Sequence, residues 1–379
     1  MLYIIALPIL LILPFLKAKY KDSLKARFFL YKNTKFSGEV WIHACSLGEI
    51  NSLQIILQNM SCQIILSTIT NTGFKRAKEL FSTYDNIKIC YLPFEIFLPF
   101  LMPRNLKKLV VLEAELWYIL FYTAKIRGAK TILLNARISN KSYPKYKKTT
   151  FFYKFLFKQI DLILCQQDED KDRLQSLGAG EIITIGNIKA LNKIKISKNL
   201  QKPPKTLLIA ASTHNSEEKL IIECFLESFR DKLDSICLLV IPRHPERFSE
   251  VWNLILSYNL KCQKFSADGL NYDNNIILID VLGELINFYS IADCVILGGS
   301  FVRLGGHNPL ECAFFNTKLI SGIHIFNQLS LFSLVDGYKI VKSTELTDTL
   351  KNMQSLPNSK IIDTKLAFMQ GFIKKYILE

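Results

Sequence analysis

The chain has 379 residues, of which 49% are hydrophobic and 12% aromatic, and its formal net charge is +15. Length and composition exclude wholesale disorder and leave room for two domains of ordinary size, while the positive excess calls for an anionic partner, either nucleic acid or an acidic membrane. The nine cysteines are scattered singly with no CxxC or Cys/His ligand spacing, which argues for a reducing compartment and against a zinc site.

Residues 1–16, MLYIIALPILLILPFL, carry no charged side chain, and a basic stretch with Lys17, Lys19, Lys21, Lys25, Arg27, Lys32 and Lys35 follows. The run is shorter than the roughly twenty residues of a spanning helix and contains Pro8 and Pro14. Apolar before basic is the reverse of a signal peptide. The pattern predicts an uncleaved anchor, inserted or lying in the interface, with the remaining chain on the cytoplasmic side. The alternative is a buried first helix of the core.

From residue 39 onward strand and helix alternate. GEVWIHA reads as a buried strand, and Ile50, Leu53, Ile56 and Leu57 mark one face of a helix after it. Between them lies CSLGE, which places Glu49 in the first helical turn at the carboxyl end of a strand, the edge where open α/β sheets hold ligands. An acid there also suits the helix dipole, so capping alone is the competing explanation. Further β-rich runs occur at 63–68, 107–114, 130–136, 161–166 and 181–186. Such alternation predicts a mostly parallel sheet covered on both faces.

A polar stretch with lysines and paired prolines, 191–205, reads as a linker. The alternation restarts at 206–213, 237–242, 275–280, 293–300 and 317–322. The expected class is therefore α/β, with an anchor at 1–16, a Rossmann-like domain at 17–190 and a second at 206–379. Two such halves would form a cleft between their carboxyl edges, which suits a glycosyltransferase.

The strongest local motif is GGSFVRLGGHNPLE, 298–311. Its glycine pairs follow a strand, and Asn308 and Pro309 are suited to cap and open a helix. Free backbone amides there predict an anion site, with Glu311 able to accept from ribose hydroxyls. Other polar groups fall at strand ends: Ser212, Thr213 and His214; Arg243 and His244; Gly283 and Glu284. Arg243 suits phosphate or base recognition through its planar fork. In the first half, Glu113 follows directly on an apolar strand. Lys189 lies just before the linker, where it either faces a departing phosphate or is merely solvated. Residues 137–160 combine Arg137 and six lysines with interleaved aromatics and no acid before Asp161. That stretch fits nucleic acid or a membrane face, and the anchor favours the membrane.

The segments HACSLGE, TNTG, EAELW, NARIS, GNIK, STH, PRHPERF, the run from GEL to NPLE, and HIFN occur in this order over roughly residues 41–327. Together they resemble the 3-deoxy-D-manno-octulosonic acid (Kdo) transferases of lipopolysaccharide assembly. The resemblance implies a GT-B fold of two Rossmann-like domains at the cytoplasmic face of the bacterial inner membrane. It implies transfer of Kdo from CMP-Kdo to the 6'-hydroxyl of a tetra-acylated lipid A precursor, with inversion and without cofactor or metal. The implied partners are CMP-Kdo, the lipid A precursor and anionic inner-membrane lipid, not nucleic acid. By the same resemblance Glu49 is the catalytic base, kept ionised by its helix N-terminus, and Glu113 and Lys189 stabilise the transition state. The CMP contacts fall on Pro242 and Arg243, on Leu282, Gly283 and Glu284, and on Asn308, Pro309, Leu310 and Glu311. EAELWYIL, THNSEE and SGIHIFN depart from the family's usual ETELWPN, THEGEE and GPHTFN. The lost threonine and proline bear on how the acceptor sits. A transferase of another nucleotide sugar and a non-catalytic lipid-binding scaffold are the rival readings.

Overall fold

The computed structural model describes residues 21–31, 33, 36–192 and 194–379. The anchor expected at 1–16 lies outside them. Among the described residues no helix is long and apolar enough to cross a membrane. The chain divides into two compact units: residues 1–192 with 367–379, and residues 193–366.

The first unit is built on a seven-stranded sheet. Its strands are β1 (Val40–His43), β2 (Ile64–Thr68), β3 (Ile87–Tyr91), β4 (Lys108–Leu112), β5 (Lys130–Ala136), β6 (Leu162–Cys165) and β7 (Ile182–Thr184), in the order β3-β2-β1-β4-β5-β6-β7. Every pairing is parallel; Val40 aligns with Ile64 on one side and Lys108 on the other. Residues of both faces are buried along β1, β2 and β4, as expected for a parallel sheet layered by helices. Trp41, Leu109, Val111, Leu133 and Ile163 form one face and pack with Phe121 and Leu156 from the covering helices. The strand order reverses between β1 and β4, and that reversal opens a crevice at the carboxyl ends of those two strands.

Residues 367–379 return to this unit. Lys108 donates to the carbonyl of Ile377 at 3.0 Å, and the Lys130 ammonium lies 4.9 Å from the Tyr376 ring centre.

The second unit repeats the plan with β8 (Thr206–Thr213), β9 (Ile236–Pro242), β10 (Cys262–Lys264), β11 (Ile276–Leu278), β12 (Cys294–Leu297), β13 (Lys318–Gly322) and β15 (Tyr338–Val341). The order is β10-β11-β9-β8-β12-β13-β15, again parallel, with the reversal between β8 and β12. A short antiparallel ribbon pairs β14 (Val335–Asp336) with β16 (Lys360–Ile361). Alternate residues feed two separate cores. Leu208, Ala210, Leu238, Val240 and Ile296 face one; Leu207, Ile209, Leu239, Ile241 and Leu297 face the other. Burying each Leu or Ile contributes about 1.5–3 kcal/mol, so these cores fix both strand ends that carry polar groups.

Candidate functional site

In the first unit the chain leaves β1 through Ala44 and Cys45 and enters a short helix, Leu47–Ser52, capped by Ser46. Ser46 Oγ accepts from the Glu49 amide at 3.4 Å and donates to Glu49 Oε1 at 2.7 Å. Glu49 Oε2 accepts from the Cys45 amide at 2.8 Å. Ser46 caps the helix, and the acid it holds is buried, at 8% exposure.

Burial pushes Glu49 up to about 7; the Ser46 and Cys45 hydrogen bonds oppose the rise, and Glu113 and Glu115 add to it. The expectation of a permanently ionised carboxylate is corrected here. Desolvation outweighs the N-terminus of a six-residue helix.

Glu113 follows β4, adjacent to β1, so it and Glu49 flank the point of strand reversal. Its φ of 55° is in the left-handed region, and its amide donates to the Leu134 carbonyl at 2.9 Å. A non-glycine residue held in that region costs on the order of 1–3 kcal/mol and is a feature of functional sites. Glu115 lies two residues further on, in the EAELW segment. Its carboxylate accepts from Trp117 Nε1 at 2.8 Å and, with Glu49, faces the Cys45 thiol, which burial and both acids keep protonated. Beneath them His43 is fully buried, with Nδ1 2.9 Å from Ser67 Oγ, and burial pushes it down to about 3, so it is neutral.

Lys189 sits on a 3-10 turn, Ile188–Leu191, that packs against the Glu49 helix. Asn192 ties the two by donating to the Asn51 carbonyl at 2.8 Å. The turn is held from below by amide side chains that the sequence reading gave no role. Asn135 Oδ1 accepts from the Ile188 amide at 3.1 Å, Gln166 Nε2 donates to the Asn135 carbonyl at 3.1 Å, and Asn187 Nδ2 donates to Gln166 Oε1 at 2.9 Å. Asn187 Oδ1 in turn accepts from the Lys189 amide at 3.1 Å. The available signal was NARIS directly after a strand, and Asn135 is another left-handed residue, at φ 58°.

In the second unit the structure brings the three expected CMP segments to one sheet edge. Pro242 ends β9, and the Arg243 amide donates to the Thr213 carbonyl at 3.0 Å. Leu282 is exposed, Gly283 adopts φ 88°, and Glu284 accepts from Lys198 at 2.5 Å and from Asn287 at 2.7 Å. The helix these residues open, Leu285–Tyr289, packs against Leu310–Phe314. That second helix begins one residue later than expected, with Pro309 rather than Asn308 at the cap position; Asn308, just before it, accepts from the Leu310 amide at 3.1 Å and donates to Glu311 Oε1 at 3.2 Å. Burial raises the Glu311 carboxyl above its ordinary range.

The expectation of free amides at the first glycine pair is corrected. Glu217, at 1% exposure, fills that nest itself. Its Oε2 accepts from Gly299 at 2.7 Å and His214 at 3.0 Å, and its Oε1 accepts from Ser300 at 3.1 Å and Phe301 at 2.9 Å, all backbone amides. Glu218 beside it takes Arg247 in a paired contact at 2.6 and 3.1 Å. Both acids of THNSEE are therefore scaffolding for the loop. The glycine at 298 is required by space: a Cβ there would lie 2.7 Å from the Ser212 carbonyl oxygen.

The basic aromatic stretch forms two helices, Tyr143–Lys148 and Thr150–Phe157. Leu156 and Phe157 turn inward, while Phe151 is 76% exposed and Phe152 and Phe155 are also exposed, beside Lys145, Lys147, Lys148 and Lys154. The neighbouring helices Tyr118–Ile126 and Leu98–Leu101 add exposed Ile126 and Phe100.

Comparison with known proteins adds to this geometry. The sequence profile of a family described as 3-deoxy-D-manno-octulosonic-acid transferase (kdotransferase) matches residues 22–192. A 3-deoxy-D-manno-octulosonic acid transferase of Haemophilus influenzae is 32% identical over 90% of this chain and 85% of its own length. A bifunctional glycosyltransferase/methyltransferase of Fusobacterium nucleatum is 30% identical over 93% of this chain, which spans 58% of that longer protein. Among solved structures, a putative UDP-N-acetylglucosamine 2-epimerase of Listeria monocytogenes superposes with a TM-score of 0.57 at 12% identity, covering 89% of this chain and 96% of its own. That likeness concerns the fold alone.

Proposed function

This chain belongs to the Kdo transferase family, and on that premise we propose that it transfers Kdo from CMP-Kdo to the 6'-hydroxyl of a tetra-acylated lipid A precursor in lipopolysaccharide assembly. The acceptor hydroxyl attacks the anomeric carbon, its proton passes to Glu49, the bond from that carbon to the phosphate oxygen breaks, and CMP leaves. Attack opposite the leaving group inverts the centre. Glu49 is the general base. The observation that carries this role is its buried carboxylate at the strand reversal, with its pKa raised to about 7, where a base works best near neutral pH. Glu113, facing the same acid, stabilises positive charge developing at the anomeric carbon. Lys189 stabilises negative charge on the departing phosphate.

In this reading the first unit serves the acceptor and the second the nucleotide. Pro242, Arg243, Leu282, Gly283, Glu284, Asn308, Pro309, Leu310 and Glu311 hold CMP. Their gathering at one edge of the second sheet supports that assignment. The reaction belongs at the cytoplasmic face of the inner membrane, where residues 1–16 act as an anchor. The exposed phenylalanines and lysines of residues 143–158 rest on anionic lipid, since apolar insertion and basic attraction reinforce each other.

The testing experiment incubates the full chain with CMP-Kdo and lipid A precursor in the presence of chelator and weighs the lipid. A product heavier by one or more Kdo residues is expected. Consumption of a uridine-diphosphate sugar in place of CMP-Kdo would move the reading to another transferase. Lipid binding with no turnover of any donor would move it to a scaffold.

A further inference from the structure

We propose that His214 and His307 form a proton-coupled oxyanion site in the second unit, one that charges when the donor's anionic group arrives. This rests on reading that unit as the CMP-Kdo unit.

The two residues straddle the second strand reversal. His214 follows β8, and His307 ends the glycine-rich loop after β12, the neighbour of β8. Their Nε2 atoms are 3.0 Å apart, with ring planes within 5° of parallel and centres separated by 5.2 Å. Two nitrogens at that distance share one proton. Two bare lone pairs would repel, and two N–H groups would clash. His307 is also fixed by the backbone carbonyl of Ser212, a buried residue in the left-handed region at φ 53°. His244, at the end of β9, packs its ring edge-on to His214 with centres 5.2 Å apart.

The surrounding charges set what this pair does. His214 faces Glu217, Glu218, Arg247 and His244, and His307 faces His214, Arg243 and His244. Both carboxylates in that set are already engaged, Glu217 by four backbone amides and Glu218 by Arg247. Both still pull His214 upward, and burial, with His244 and Arg247, outweighs them. Burial, helped by His214, Arg243 and His244, pushes His307 down to about 4, and burial also lowers His214. Without ligand the pair is neutral. An oxyanion placed beside it reverses the balance, because opposite charge favours the protonated imidazole. The pair then gains one proton, shared over two rings, without a permanently charged side chain having to be desolvated.

Two groups of the donor carry this chemistry, the phosphate of the nucleotide and the carboxylate of the transferred sugar acid. Calorimetric titration of the full chain at pH 7, in two buffers of different ionisation enthalpy, measures proton uptake directly. Cytidine, CMP and CMP-Kdo serve as ligands. Cytidine is expected to bind with no uptake. About one proton taken up with CMP identifies the phosphate, and uptake only with CMP-Kdo identifies the carboxylate. His307→Gln is expected to abolish the uptake and weaken the anionic ligand about tenfold, leaving cytidine binding unchanged; His214→Gln is the second variant should the first not fold. In the wild type, affinity for the anionic ligand should rise several-fold from pH 8 to pH 6. Binding of CMP and CMP-Kdo with no proton uptake, or uptake that persists in both variants, would overturn the proposal alone. A wild type that binds none of the three ligands would overturn the CMP-Kdo reading, and the proposal with it.

Discussion

Ser46 and Glu49 hold each other by two hydrogen bonds, the serine hydroxyl donating to Glu49 Oε1 at 2.7 Å while the Glu49 amide reaches back to Ser46 Oγ at 3.4 Å. The same contact starts a helix and aims a buried acid at the carboxyl edge of the sheet. The conflict between the two duties is electrostatic: capping favours the carboxylate, and burial favours the carboxylic acid.

That conflict has a consequence for stability. A carboxyl raised from 4.5 to about 7 binds its proton more tightly folded than unfolded, so its contribution is greatest below 4.5 and is lost as pH rises through about 7. Glu49→Gln removes the penalty of burying the charge. Thermal denaturation at pH 8 should show the variant more stable by on the order of 1–3 kcal/mol, with the difference vanishing near pH 4. An equal difference at both values would mean that the carboxyl is not perturbed.

Glu217 is expected to behave in the opposite way. Its carboxylate satisfies four amides of the loop after β12 and of His214, and it is sealed from solvent. Glu217→Gln places an amide N–H against those donors. A stability loss of about 2–4 kcal/mol is expected, together with loss of CMP binding, although no ligand can reach the side chain. Calorimetry of the variant with CMP checks both, and normal affinity would show that the loop does not depend on this clamp.

Gly298→Ala should produce a similar loss by another route. The added carbon meets the backbone of Ala211, Ser212 and Thr213 at 2.7–2.9 Å, so β12 and β8 must part where His214 and the loop begin. A folded variant with unchanged CMP affinity would contradict this.

The proposed membrane face is tested by vesicle co-sedimentation. Phe151→Ser with Phe155→Ser removes two exposed rings, and since each buried ring contributes about 1.5–3 kcal/mol, partition onto vesicles containing anionic lipid should fall at least tenfold. Deleting residues 1–16 should weaken partition more than turnover of detergent-dispersed acceptor. Partition unchanged in the double variant would remove residues 143–158 from the interface.

The central strands were legible because both of their faces are buried, which gives uninterrupted runs such as TLLIAA and CLLVI. In the two seven-stranded sheets the strands the sequence does not show are β3, β10 and β15, all at sheet edges, where one side is open and Lys88, Lys264 and Lys339 interrupt the pattern. The site divides in the same way. Glu113 and Arg243 stood out because a charge directly after an apolar strand has few structural explanations, and Glu49 because it is an acid in the first helical turn at the carboxyl edge of the sheet, where the helix dipole offers a competing one. Glu217, within THNSEE, shows no role in the sequence, because its engagement by Gly299, Ser300 and Phe301 depends on a contact more than eighty residues away. The Asn135, Gln166 and Asn187 network beneath Lys189 was hidden for the same reason, since amide side chains show no partner until three strand ends are brought together.

The most direct test of the account is the pH dependence of kcat/KM in the wild type and in Glu49→Gln. With Glu49 as general base, the wild-type rate should fall about tenfold per pH unit below a midpoint near 7, as the carboxyl protonates. Glu49→Gln should lose a factor on the order of 10² or more in kcat, bind CMP as before, and lose the acid limb. A wild-type profile flat from pH 5.5 to 8, or a glutamine variant that turns over at the wild-type rate, would contradict the assignment of Glu49 as the base.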